Sequence, residues 1–77
     1  MTPSIKQLRY ICAVAEHRHF SKAAESCFVT QSTLSAAIQE LESQLGVMIF
    51  ERSKKTVLIT PLGGRLLDQA RLILGDV

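Results

Sequence analysis

Gln31, Ser32 and Thr33 stand in a row with Ser35 close behind, and all four carry uncharged groups that both donate and accept hydrogen bonds. Grouped in this way, they suit the reading of a fixed donor and acceptor pattern better than the breaking of a bond. A second group is cationic. Arg52, Lys54 and Lys55 lie close together, and no acidic residue follows Arg52 until Asp68. Such a cluster suits attraction to a polyanion. Metal chemistry is not expected, because Cys12, His17, His19 and Cys27 match none of the usual zinc-ligand spacings. Catalysis is not expected either: there is no glycine-rich phosphate loop and no HExxH or GxSxG motif. Glu40 and Glu42 are two positions apart and so fall on different helix faces. The expectation is a binding module with no cofactor, not an enzyme.

Two helices must position the first group. Phe20, Ala23, Ala24 and Cys27 recur at i, i+3, i+4 and i+7, which predicts a short helix with one apolar stripe. Ser21 is its expected N-cap, with Lys22 in the first turn and Glu25 on the exposed side. Leu34, Ile38, Leu41 and Leu45 form the stripe of a longer helix, with Thr30 as N-cap and Gly46 as its left-handed stop. Only Phe28-Val29-Thr30 separates the two, so the pattern is a helix-turn-helix. The first turn of its second helix displays the polar row, as recognition helices do toward base edges in a DNA major groove. The same spacing also fits an ordinary αα-hairpin.

An earlier helix, capped by Ser4 or Thr2, carries Leu8, Ile11, Cys12 and Ala15 on its buried stripe. Ile5 and Val14 flank that stripe, Lys6, Arg9 and Glu16 lie opposite, and the helix should end near His17 or Arg18. After Gly46 the period changes to about two. Val47–Phe50 is apolar, 51–55 is polar and 56–59 is β-prone, which predicts a two-stranded hairpin with its tip at 53–55. Thr60-Pro61 opens a last helix by an N-cap and a proline at N1. Two stripes follow on it: Leu66, Ala70, Ile73 and Val77 form one, and Leu67 and Leu74 the other. One stripe suits the domain and the second a partner helix.

With 77 residues, 47% of them apolar and 21% charged, the chain is one small globular unit. A net charge of +2 is too small to identify a nucleic-acid partner without the clustering described above. The two cysteines read as reduced, small hydrophobes on helix faces. No signal peptide or membrane-length apolar run is visible, so a cytoplasmic location is expected. A helical pattern running to Val77 reads as part of a longer protein.

A resemblance sharpens this. Ala23-Ala24, Val29-Thr30-Gln31-Ser32-Thr33-Leu34-Ser35, Ile38, Leu41-Glu42, Leu45-Gly46-Val47, Phe50-Glu51-Arg52 and Thr60-Pro61-Leu62-Gly63 together resemble the N-terminal DNA-binding domain of LysR-type transcriptional regulators. The match runs over nearly the whole chain. Within that family, Ala15-Glu16-His17-Arg18-His19-Phe20, Ser26-Cys27 and Asp68-Gln69-Ala70-Arg71 are similar to the peroxide-responsive OxyR branch.

The resemblance implies a mainly α fold. It comprises a winged helix-turn-helix over residues 1–60, with a three-helix core and a two-stranded wing, then a linker and dimerisation helix over 61–77. The effector domain would lie outside this chain. The implied function is sequence-specific binding of double-stranded DNA as a regulator's reading head, on oxidative-stress genes if the narrower likeness holds. Gln31, Ser32 and Thr33 would read bases. Lys22, Thr30, Ser35, Arg52, Lys54 and Lys55 would contact the DNA backbone. Leu66, Leu67, Ala70, Ile73, Leu74 and Val77 would build a homodimer, or a higher homo-oligomer, on a dyad-symmetric operator. Small-molecule or oxidant sensing would belong to the missing C-terminal domain. The competing expectation is a helical interaction module without DNA binding. One departure matters: many relatives carry arginine just after the position of Ser35, whereas this chain has Ala36-Ala37, then Glu40 and Glu42, and no cation from Gln31 to Gly46. That predicts a large share of specificity from DNA shape and A·T-rich sequence.

Overall fold

A computed structural model describes residues 3–52 and 57–75. Helix α1 (Ile5–His17) opens on a reciprocal cap. Ser4 Oγ accepts from the Gln7 N–H at 3.1 Å, and Gln7 Oε1 accepts from the Ser4 N–H at 2.9 Å. It ends on Arg18, left-handed at φ 56°, whose N–H donates to Val14 O at 2.7 Å. Only His19 then precedes α2 (Phe20–Ser26). His19, not Ser21, is therefore the N-cap: its Nδ1 accepts from the Lys22 N–H at 3.4 Å. Ser21 Oγ lies 2.9 Å from the same ring nitrogen. The helix starts early because Phe20 must already be turned inward, where its ring meets Phe50 edge-on at 6.3 Å between centroids.

The turn into α3 (Gln31–Leu45) is a Schellman ending. The Phe28 N–H donates to Glu25 O and the Val29 N–H to Ala24 O, both at 3.1 Å, with Phe28 left-handed at φ 59°. Helix α3 ends in the same way at Gly46, φ 69°. Its stripe is buried as expected at Leu34, Ile38 and Leu41, with Leu45 half-buried. The face of α1 is wider than the sequence indicated. Tyr10, Ala13 and Val14 are buried and Cys12 only half-buried, while Ile5 is 51% exposed. The reason is that α2, α3 and α4 all pack on α1, so one narrow stripe cannot serve them.

Strands β1 (Phe50–Arg52) and β2 (Val57–Ile59) pair antiparallel, with Phe50 opposite Ile59, Glu51 opposite Leu58 and Arg52 opposite Val57. The first strand starts later than the apolar run 47–50 implied. Only half of the next rung forms: the Ile49 C=O accepts from the Thr60 N–H opposite it at 3.0 Å, but the Ile49 N–H is diverted to Glu42. Lys54 and Lys55, at the expected hairpin tip, lie outside the described residues, as does Val77.

Helix α4 (Pro61–Leu74) begins at Thr60, whose Oγ1 accepts from the Gly63 N–H at 2.9 Å and donates to Met48 O. It stops at Gly75, φ 77°, where the sequence pattern had run on to Val77. Its core face is Gly63, Leu67 and Ala70, at i, i+4 and i+7. Leu67 and Ala70, 2% and 0% exposed, lie inside the chain's own core. Leu66 and Leu74 are half-buried, and Leu62, Leu72 and Ile73 are exposed.

Two adjacent glycines have opposite requirements. A Cβ on Gly63 would stand 2.3 Å from Ile49 O, a backbone atom that cannot step aside, whereas a Cβ on Gly64 meets nothing nearer than Ile59 Cγ2 at 4.0 Å. Gly63→Ala should destabilise by roughly 1–3 kcal/mol through overpacking. Gly64→Ala should stabilise by about 0.5–1 kcal/mol through helix propensity. Paired urea-unfolding curves read both signs.

Candidate nucleic-acid interface

The polar row of the sequence lies on the first turn of α3, and Gln31, Ser32 and Thr33 are all exposed. Thr30 fixes that turn. Its Oγ1 accepts from the Thr33 N–H at 3.1 Å and donates to Thr33 Oγ1 at 2.9 Å. The hydroxyl of Thr30 is thereby used twice inside the protein, and that of Thr33 keeps its own proton for an outside acceptor. Ser35 is half-buried and so less available than the other three. Ala36 is exposed and shortens the surface beyond the first turn.

Arg52, the described member of the cationic group, is seated on an aromatic pair. The Arg52 guanidinium carbon sits 4.2 Å from the centre of the Phe20 ring, and Phe20 in turn meets Phe50 at an interplanar angle of 84°. A cation over a ring at a surface contributes about 0.5–1 kcal/mol, and here it restrains a long side chain that would otherwise sample many rotamers. Lys22, exposed two residues after Phe20, lies on the same short helix. Between α3 and β1 runs an open recess of about 410 Å³ lined by Gln39, Glu42, Met48, Phe50, Glu51 and Arg52. Gln39 was not singled out from the sequence. Its signal was present, since it continues the exposed face of the helix that begins at Gln31.

Glu42 was also missed, having been counted as one of two negative charges on α3. Its Oε2 accepts from the Ile49 N–H at 2.7 Å and from the Phe50 N–H at 3.2 Å, so the carboxylate faces the start of the wing. Phe28 is the third residue whose role was not visible. It is 95% exposed in a conformation that L-residues other than asparagine and glycine seldom adopt. Cys12 and Cys27 are each half-buried.

This geometry can be compared with known proteins. The family profile of bacterial regulatory helix-turn-helix proteins, lysR family, matches residues 5–64. The DNA-binding transcriptional dual regulator OxyR of Escherichia coli is 53% identical over 74 residues, covering 96% of this chain and 24% of the relative. The HTH-type transcriptional regulator EstR of Acinetobacter baylyi is 47% identical over 74 residues, 96% of this chain and 25% of its own length. Among solved structures, a full-length OxyR variant of Pseudomonas aeruginosa superposes with a TM-score of 0.89 at 46% identity, over 95% of this chain and 25% of that one. A complex of the BenM DNA-binding domain with benA site 1 DNA gives 0.90 at 37% identity, over 95% of this chain and 82% of that one. The chain belongs to the lysR family of bacterial regulatory helix-turn-helix proteins, and it is the DNA-binding domain of such a regulator. The family is one of transcription regulators and not of enzymes. The chain spans about a quarter of the length of the curated relatives named here.

Two substitutions test the local architecture independently of any ligand. Glu42→Ala leaves two amides without their acceptor and should cost about 1–3 kcal/mol. Hydrogen exchange should show the Ile49 and Phe50 amides losing protection before the centre of α3. Phe28→Asn should raise stability by about 1 kcal/mol, since asparagine tolerates the left-handed region and no buried contact is lost. A thermal-melt comparison with the parent chain decides that sign.

Proposed function

We propose that the first turn of α3 reads base edges of double-stranded DNA while side chains of α2 and the wing grip its backbone. The observation that carries this reading is the capped, exposed Gln31-Ser32-Thr33 turn, supported by an arginine already held in place on Phe20. Gln31 offers a donor and an acceptor to an adenine edge, and the Thr33 methyl suits a thymine methyl. Lys22, Ser35 and Arg52 are the backbone contacts, joined by Lys54 and Lys55, which follow Arg52 in the sequence, while Thr30, its hydroxyl proton directed to Thr33, fixes the turn. With no cation on α3, direct reading of guanine is weak, and A·T-rich shape supplies a large part of the specificity.

A single reading head has few contacts, so useful affinity comes from two heads on a dyad-symmetric site. The surface for a second copy is an apolar groove of about 470 Å³ between α1, the end of α3 and α4, which Ile5, Leu45, Leu66 and Ile73 help to line. Leu72 and the groove's Ile73, at 78% and 60% exposure, are the apolar residues of α4 that most need cover. In the whole protein, a regulatory half responds to oxidant, following relatives described as hydrogen peroxide-inducible genes activators. The bacterial cytoplasm, where the operator is, is its compartment.

The test is retention of the chain on a duplex pool containing dyad-symmetric A·T-rich sites at two salt concentrations. Retention should fall steeply with salt, with a log–log slope of about −0.9 per phosphate neutralised. Gln31→Ala should relax sequence preference. Arg52→Ala should weaken every site alike and lower the salt slope by about 1. Folded, dimeric protein that is not retained at low salt would refute the reading.

A further inference from the structure

We propose that Phe28 and the basic face of α1 form a docking surface for an acidic protein segment that carries an apolar anchor residue. None of its residues is among those assigned to DNA, although Val29 adjoins Thr30 in the chain, and it does not depend on that assignment. Its first support is Phe28 itself. The residue occupies the left-handed position of a Schellman ending, where glycine or asparagine is the usual solution. Its ring is 95% exposed, so no buried contact offsets the backbone cost. Folding of this chain alone gives no reason for an aromatic side chain there.

The second support is what surrounds the ring. Phe28, Val29, Cys27 and Tyr10 line a recess of about 470 Å³ whose rim carries Lys6 and Arg9. Those two cations are exposed and one helical turn apart on α1. No acidic side chain lines the recess, and among the described residues the ion pair formed is Asp68 with Arg71, on α4. The site thus offers an apolar floor, an exposed ring and two uncompensated positive charges. A phosphate backbone would satisfy the charges but leave the ring and the floor in water. A peptide with carboxylates flanking a leucine or phenylalanine satisfies both, and aromatic and arginine side chains are the residue types that anchor such contacts.

The test titrates the ¹⁵N-labelled chain with the end-capped peptide Glu-Asp-Leu-Phe-Asp-Glu. Controls are the same peptide with lysine at every acidic position and one with alanine in place of Leu-Phe. Saturable amide shifts should cluster at Lys6, Arg9, Tyr10 and Cys27 to Val29, with the acidic apolar peptide only. Phe28→Asn, and separately Lys6→Glu with Arg9→Glu, should each weaken binding by about tenfold or more. Because Phe28→Asn should melt higher than the parent, its loss of binding cannot be assigned to unfolding. Retention of the Phe28→Asn variant on operator duplex should stay unchanged. The proposal fails if the acidic peptide gives no saturable shifts, or if the lysine peptide does as well. It also fails if the shifts centre on Gln31 to Thr33 and Arg52, or if Phe28→Asn loses duplex binding, which would move Phe28 into the DNA interface.

Discussion

The backbone of Ile49 is the point at which the three parts of this molecule are tied together. Its N–H, with that of Phe50, ends on one carboxylate oxygen of Glu42 on α3. Its C=O receives the Thr60 N–H at 3.0 Å, at the threshold of α4. Gly63, one turn into that helix, packs so closely that no Cβ fits between them. The Ile49 side chain is itself fully buried. A three-residue strand pair has little stability by itself, so the wing keeps its position only through these contacts with the helices.

From that knot the surface assigned to DNA follows. Glu42 fixes where β1 leaves α3, and Phe50 then presents its ring to Phe20. Phe20 carries Arg52 on its other contact, so the wing's first cation is set by the first residue of α2. The turn proposed to face bases is set separately, by Thr30, through bonds made entirely within one helical turn. The surfaces proposed to read and to grip DNA are thus positioned by different interactions, and one can be altered without the other. In the sequence Glu42 is one of two acidic residues on a helix without cations. In the fold its charge is turned toward backbone amides, so its contribution is architectural.

Helix α4 serves two sides in a way that a list of apolar residues does not separate. Leu67 and Ala70 complete the core, whereas Leu62, Leu72 and Ile73 remain exposed, Ile73 within the groove proposed for a second copy. The stripes drawn on the sequence were a few tens of degrees from those the structure uses. The neighbour that decides this is α1, and nothing within 61–77 indicates from which direction α1 approaches.

The sequence by itself determined the helix boundaries marked by local chemistry: Ser4, Thr30, Gly46 and Thr60-Pro61 each act on amides or carbonyls within four residues of themselves. It also determined the buried stripe of α3 and the polar row on that helix, because helical period alone puts them on separate faces. The exceptions are informative. Ser21 was the better cap by propensity, but His19 took the place because Phe20 had to be inside the helix and against Phe50. The late start of β1, the turning inward of Glu42, the division of α4 and the seat of Arg52 were decided only by tertiary structure. Each depends on a partner many residues away, and neither the spacing nor the type of the residue encodes the direction in which that partner arrives.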